Sequence, residues 1–406
     1  MAIQVFRSDQ SGAPTLSGQA GALITLLDAC LVDGYATASV TSITRSSATA
    51  TVTTGAAHGY ATNDWVTISG ATESDYNGKY KITVTGSTTF TYTVANSPTT
   101  PATGTILHRR AAAGFTKAFS GTNKAVYRSS DGSGNRLYFR VDDAGGTGGG
   151  ALEARIRGYE TMSDVDTGTN PFPTVAQNAN GWFVYKSQTA NSTARPWVLI
   201  TDGKTVYFFN CGDATGLTAP TGNYHYGFVF GDIISFKASD AYSSILGGMA
   251  GSNAPTSPQQ AWVAPIVGSS GTLSPATSHG SLGLSVCRDY TATQLSTYAQ
   301  VYGTGIVTGT MGSSAPISFP HRPDNGFYIA PALLCQSLTS VSSSTHFRGR
   351  MPGLYEPLHG RALSAWDTLT NIQGLSGRTL MFLYVTNGST AGSVMIDLTG
   401  NSDAWD

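Results

Sequence analysis

Trp197-Val198-Leu199-Ile200-Thr201-Asp202-Gly203-Lys204-Thr205-Val206-Tyr207-Phe208-Phe209 is the stretch on which the fold turns. Two runs of β-branched and aromatic residues, the types that suit a pleated strand, flank Asp202-Gly203, a dipeptide that tolerates the positive φ of a tight turn. The pattern predicts an antiparallel hairpin. Working outward, residues 182–186 and 225–230 predict further strands, the second turning at Gly231-Asp232 into 233–237. Upstream, residues 136–141 and 154–159 alternate polar with apolar, the period of a half-buried strand, and they flank a glycine-rich run at 145–150. Downstream, strand-like runs return at 327–330, near Arg348-Gly349-Arg350, at 379–385 and at 394–397. The run 379–385 is mostly apolar, as in a strand covered on both faces. Residues 247–285, rich in Gly, Ser, Pro and Ala, read as long loops or extended arms.

Composition agrees with a β-rich chain. Charged residues are 12% of the 406, roughly half the share of about 25% in ordinary globular domains. Ser, Thr, Gly and Asn take their place, which suits strands and turns better than solvated helices. The formal net charge of -1 provides no field to draw in nucleic acid. Apolar runs long enough to span a membrane are lacking, and the first seven residues do not resemble a secretory leader. Synthesis in a cytosol without export is therefore expected. Cys30, Cys211, Cys287 and Cys335 lie far apart and read as small buried hydrophobes rather than zinc ligands.

Two features precede this β region. Residues 16–33 predict a helix, with Ala20, Leu23, Ile24, Leu27, Cys30 and Leu31 on one stripe, Ser17 as N-cap and Gly34 as the stop. The stripe suits packing on the chain's own sheet or a subunit interface. From Ala38 to about Arg109 threonine dominates. Strands are predicted at 49–53, 65–68, 80–84 and 90–94, separated by Asn63-Asp64, Asn77-Gly78 and Gly86-Ser87. Within this unit His58-Gly59-Tyr60, Asp64-Trp65-Val66-Thr67-Ile68-Ser69-Gly70, Tyr76-Asn77-Gly78 and Phe90-Thr91-Tyr92-Thr93-Val94 occur in series. The series resembles a small β-barrel module of bacteriophage tail proteins, similar to the first-catalytic-cysteine-half domain of ubiquitin-activating enzymes. The resemblance covers under a fifth of the chain and implies a barrel, with no ubiquitin chemistry. The flanks, with the helix ending at Asp33-Gly34-Tyr35 and a different texture resuming over Ala111 to Phe119, point to the barrel as an insertion; the segments 11–35, 115–119 and 124–128 also resemble the start of uncharacterised phage virion proteins.

Motifs that might carry chemistry argue against catalysis. The glycines at 145–150 lack the following helix and Gly-Lys-Ser/Thr ending of a phosphate cradle, so a hairpin loop is expected there. Asp164-Val165-Asp166-Thr167-Gly168-Thr169-Asn170 places its glycine fifth and Val175 twelfth, against the spacing of a calcium loop. Glu160 with Asp164, or Asp142 with Asp143, could be offered as a glycosidase pair, but adjacent aspartates in a strand point to opposite faces. His58, His108, His225, His279, His321, His346 and His359 are scattered.

The expectation is a mainly β protein: an antiparallel β-sandwich or jelly-roll-like main domain over 1–36 and 111–245 with one N-terminal helix, an inserted small β-barrel over 37–110, and a C-terminal β-rich region over 246–406. No catalytic, cofactor-binding or metal residues and no cofactor are expected. The resemblance implies a non-enzymatic structural protein of the virion, in the tail, baseplate or neck. Its partners would be copies of itself and other virion proteins, with a host glycan as a further contact and no nucleic acid. The alternatives are a receptor- or carbohydrate-binding tail fibre adhesin, supported if aromatic rings are exposed on the barrel or on the 182–209 strands, and a polysaccharide depolymerase.

Overall fold

A computed structural model of the chain describes residues 3–145, 152–218, 225–249, 282–294, 299–302, 321–337, 345–357, 363–372, 375–384, 393–400 and 402–405. The protein is mainly β, with antiparallel sheets, one nearly closed barrel-like sheet and a single N-terminal helix. No helix among the described residues is long and apolar enough to cross a membrane.

Strand β1 (Gln4–Arg7) leads to helix α1 (Ala22–Leu27), which continues as a π-helical stretch, Asp28–Asp33. This helix is shorter than the predicted 16–33, because its expected first turn is engaged elsewhere. The Arg195 amide donates to the Leu16 carbonyl at 2.9 Å and the Gly18 amide to that of Asn191 at 3.0 Å. Ser17 is therefore not the cap. Gly21 occupies that position with no side-chain bond, and Asp143 reaches across the fold to accept the Leu23 amide at 2.8 Å. Leu23, Ile24, Leu27, Cys30 and Leu31 are buried as the stripe requires, whereas Ala20 lies outside the helix and is exposed. Gly34, at φ 75°, ends the segment.

The chain then builds β2 (Tyr35–Ser46), β3 (Thr49–Thr54), β4 (Trp65–Ala71), β5 (Gly78–Lys81), β6 (Thr83–Gly86), β7 (Thr89–Thr93) and β8 (Gly104–Arg110). They hydrogen-bond in the order β5-β4-β8-β2-β3-β7-β6 around Ile43, Val52, Val66, Ile68, Tyr76, Phe90 and Tyr92. The predicted strand 80–84 breaks at Ile82, which exchanges backbone bonds with Asn63 and Asp64 instead. Tyr35 and Arg110 are register partners, so the chain leaves the rest of the protein and returns to it at adjacent points.

The remainder forms two sheets packed face to face. Strands β9 (Phe115–Gly121), β10 (Lys124–Ser129), β11 (Tyr138–Asp142), β12 (Glu153–Met162), β13 (Gly168–Phe172), β14 (Trp182–Tyr185), β15 (Trp197–Thr201), β16 (Val206–Cys211) and β17 (His225–Asp232) follow in turn. After the two-residue β18 (Ile234–Ser235) come β19 (Ser244–Met249) and β20 (Leu282–Val286). The first sheet runs β1-β15-β16-β17-β19-β14-β12-β11-β10-β9, with β13 on β12 and β20 on β19. The second contains β21 (Ala299–Tyr302), β22 (Ile329–Ser337), β23 (Thr345–Pro357), β24 (Thr368–Ile372), β25 (Leu375–Tyr384) and β26 (Ser393–Asp397), ordered β21-β22-β23-β26-β25-β24, with β18 on β23. One core lies between the first sheet and α1, and includes Trp182, Trp197, Leu199, Phe208 and Phe228. The other lies between the sheets, where Val198, Ile200, Tyr207 and Val229 meet Leu334, Met351, Met381 and Ile396. Alternate residues of β15 and β16 thus enter opposite cores, and both strands are buried throughout.

Several expectations are corrected in detail. The β15–β16 hairpin closes at Thr201 and Val206, so its loop has four residues; the Asp202 carboxylate organises it by accepting the Lys204 and Thr205 amides at 2.8 and 2.6 Å. Gly231-Asp232 is no hairpin turn, because β17 pairs with β16 and β19 while Ile234-Ser235 crosses to β23 of the second sheet. Residues 247–249 and 282–285 are not loop: they belong to β19 and β20, which pair from Ile245–Val286 to Met249–Leu282. The expected boundary at 245–246 falls inside β19. Residues 250–281 and the glycines 146–150 lie outside the described residues.

Asp143 and Lys186 are fully buried and ion-paired, and Lys186 Nζ also donates to the Gln19 carbonyl at 2.6 Å. Burial pushes the Asp143 carboxyl up and the Lys186 ammonium down, each opposed by the other's charge. The pair ties β11 and β14 to the start of α1. Removing one member strands a buried charge, so Asp143→Ala is expected to cost about 3–5 kcal/mol in urea unfolding. Asp142→Ala, one residue away on the solvent side, should cost under about 1 kcal/mol.

Candidate functional site

The seam between barrel and sandwich is the most elaborate polar assembly in the described structure. Arg110 ends β8 with its side chain 4% exposed and pairs with Asp64 at 2.9 Å. Its guanidinium lies 5.8 Å from the Tyr35 ring centroid and 5.2 Å from that of Tyr60, within cation–π range of both. Tyr35 donates its hydroxyl to Gln10 Oε1 at 2.7 Å, and Gln10 also receives the Arg7 amide. Arg110 therefore joins two barrel strands and a barrel turn, and Tyr35 carries the link to the N-terminal segment. Gln4 of β1 adds a second link, donating to the Ala111 carbonyl at 2.8 Å and accepting from Lys79 Nζ at 2.6 Å.

Close backbone approach is part of this geometry. A side chain on Gly59 would meet the Ser11 Cβ at 2.7 Å, and one on Gly34 the Arg110 carbonyl at 2.4 Å; both glycines have positive φ. Beneath them His58 stacks on Tyr60 with ring centroids 5.1 Å apart, and both pack edge-on against Phe90. The Tyr60 amide donates to His58 Nδ1 and His58 Nε2 lies 3.0 Å from the Gly86 carbonyl, which assigns the ring proton to Nε2. Tyr60 Oη and His108 Nδ1 are 2.7 Å apart, and burial, with His58 nearby, lowers the His108 pKa. The His58-Gly59-Tyr60 series is thus barrel core and joint. A cleft of about 250 Å³ opens where the barrel turn 62–65, β1 and the Thr379, Leu398 and Thr399 edge of the second sheet converge. Of its charged members Asp64, Lys81 and Arg110, the first and last are paired with each other.

The groups weighed as catalysts are placed as follows. Asp164 accepts the Asp166 and Thr167 amides at 2.8 Å each, and Asp166 pairs with Lys124 and Arg140. Glu160 does not face Asp164; it binds Arg288, Asn170 at 2.9 Å and the Cys287 thiol at 3.3 Å. Asp142 pairs with Arg140 on the surface and Asp143 with Lys186 inside. His225 is buried in β17, His321 bonds Asp324 at 2.6 Å, and His346 lies against the Tyr290 ring. His279 and His359 lie outside the described residues. No three His, Cys, Asp or Glu side chains converge as metal ligands among the described residues. All four cysteines are buried and free, and burial pushes the thiols of Cys211 and Cys335 up to about 12 and about 11. The aromatic residues of 182–209, namely Trp182, Phe183, Tyr185, Trp197, Tyr207, Phe208 and Phe209, are buried, as are Tyr60, Tyr76, Phe90 and Tyr92 of the barrel. These rings are closed to sugars, whereas Trp65 and Tyr80 of the barrel are partly exposed. Sequence reasoning looked for acids and histidines and passed over the arginines, although Arg110 at a strand end beside a segment junction was a visible signal.

Compared with known proteins, the chain matches no family model and no curated protein.

Arg110→Met leaves Asp64 without its cation and removes both ring contacts, so a loss of about 2–4 kcal/mol is expected in urea unfolding. Lys117→Met, which breaks the more exposed Lys117–Asp28 pair, should cost under about 1 kcal/mol. Glu160 supplies a pH test. Burial raises its carboxyl, but hydrogen bonds from Arg288, Asn170 and Cys287 outweigh that and hold it below the ordinary range. A depressed carboxylate stabilises the fold above its unfolded pKa of about 4.3 and loses that contribution as pH falls through its folded value. Glu160→Gln should therefore be less stable than the native chain at neutral pH, with the gap closing in acid below about pH 4.

Proposed function

We propose that this chain is a non-enzymatic structural protein of a bacteriophage particle, placed in the tail, baseplate or neck, that assembles symmetrically with copies of itself and with other virion proteins. The observation that carries the reading is the clamped barrel. A module with its own core is held against a two-sheet body by Tyr35 on Gln10 and by Gln4 with Ala111 and Lys79, an arrangement suited to presenting a surface. The residues whose series resembles the phage tail module, His58, Tyr60, Val66, Ile68, Tyr76, Phe90 and Tyr92, are the ones that build that barrel's interior.

The disposition of charge supports the same reading. In a chain with few charged residues, the carboxylates that could have served catalysis are committed to ion pairs or backbone amides, which leaves packing and hydrogen-bonding surfaces as the means of action. For the adhesin alternative, the rings of 182–209 are buried, and on the barrel Trp65 and Tyr80 alone are partly exposed. The depolymerase alternative calls for a parallel β-helix, whereas the sheets here are antiparallel.

Light scattering on the purified chain should give one defined oligomer, and antibodies against it should label intact particles at a single position along the tail. A monomer at micromolar concentration that is absent from purified particles would overturn the proposal.

A further inference from the structure

On the outer face of β11 and β12 three arginines cluster at the edge of a groove of about 230 Å³. The register sets Arg140 directly opposite Arg157 and Asp142 opposite Arg155. Like charges directly across a strand pair repel, so the placement of Arg140 and Arg157 works against the sheet unless counter-charge is supplied. Arg140 has it: the guanidinium bonds Asp142 and Asp166 at 3.2 and 2.6 Å, and Lys124 shares Asp166.

Arg155 and Arg157 make no ion pair among the described residues, although Asp142 stands opposite Arg155 and lines the groove with Asp166, and the charge of Arg155 reaches Glu153. Arg157 donates to the neutral Asn178 carbonyl at 2.6 Å, and Arg155 reaches only the Asn180 side-chain oxygen at 3.5 Å. Arg155 Nε has no hydrogen-bond partner among the described residues, although it is shielded from solvent. Its guanidinium lies 5.5 Å from the Phe183 ring centroid, a contact that fixes the plane of the fork. Glu153, the carboxyl in line with them on β12, is 4% exposed and hydrogen-bonded to Tyr185.

The wall opposite is held by its own bonds. Thr174 and Gln177 exchange side-chain-to-amide bonds at 2.8 and 3.1 Å, and the Asn180 amide donates to the Asn178 side-chain oxygen at 3.1 Å. Two forks that make no ion pair among the described residues, one stacked and one anchored, therefore face a groove beside the Asn180 amide group, whose two carboxylates, Asp142 and Asp166, are both engaged by Arg140. We propose that this groove is a binding site for a tetrahedral or planar oxyanion, a phosphoryl, sulfate or carboxylate group, taken in bidentate fashion by Arg155 and Arg157. The proposal stands on this groove alone and is independent of any role in a particle.

Isothermal titration of the full chain at low ionic strength, with inorganic phosphate in one arm and glucuronate in the other, tests it. Saturable binding of at least one anion is expected, weakened at least about tenfold in Arg155→Gln/Arg157→Gln. It should be unchanged in Arg128→Gln, an arginine of the same sheet that is already engaged with the Arg136 carbonyl and the Tyr138 ring. Binding of phosphate alone assigns a phosphoryl- or sulfate-type ligand, and binding of glucuronate alone assigns an acidic sugar. If the double glutamine variant does not fold, Arg155→Lys/Arg157→Lys is the test: it keeps the charge and loses the fork, so binding at least about threefold weaker is expected. No heat with either anion, or equal affinity in the variant that folds, would overturn the assignment.

Discussion

Burial of β15, β16 and β17 between two cores is the constraint from which the rest of the architecture follows. A strand covered on one face can leave half its residues in water; these three cannot, and their runs of Trp, Val, Leu, Ile, Tyr and Phe are correspondingly continuous. One face needs α1 and the strands around it, the other needs the second sheet. Truncating a large side chain such as Phe208 or Tyr207 here would open a void in a close-packed interior at a cost of several kcal/mol, about 3–5 for a phenylalanine. The C-terminal turn Ser402–Trp405 completes the same arrangement, with Trp405 closed against Gly353 and its indole N–H on the Asp397 carbonyl at 3.1 Å.

Sparse charge gives the remaining charged groups well-defined tasks. Asp143 and Lys186 join the helix to the sheet, Asp64 and Arg110 join a turn of the barrel to its last strand, Asp240 and Arg348 pair in burial against β23, and Glu160 with Arg288 ties β12 to the segment after β20. Each bridges elements far apart in the chain. A buried pair of this kind adds little net stability, because desolvation offsets the attraction, but a partner lost from it is costly. Such pairs suit a molecule whose bodies must keep one relative orientation. Arg155 and Arg157 depart from the pattern in making no ion pair among the described residues, bonding only Asn180 and the Asn178 carbonyl.

The sequence made the strand content, the barrel and the apolar stripe on the helix legible because all three are periodic. It misplaced the helix start because Ser17 looks like a cap locally, while Asp143, more than a hundred residues on, does the work. It misread Gly231-Asp232 as a turn because the alternative partner for 234–235, strand β23, lies over a hundred residues away. It passed over β2 and β8 of the barrel, where threonine, serine and alanine blur the contrast between faces. The joint was out of reach because Gln4 and Gln10 meet Ala111, Lys79 and Tyr35 only when the barrel seats on the body.

By itself the amino-acid order determined the local matters: which segments prefer a pleated backbone, where glycine and asparagine permit a turn, and that charged side chains are sparse. Those preferences act over a few neighbouring residues and are written in residue type. Only the tertiary structure decided which carboxylate meets which cation, which face of each strand is covered, and which arginines are left without an acidic partner. Those outcomes depend on register and packing between strands far apart in the chain, and desolvation on closing the two cores sets what each misplaced charge costs.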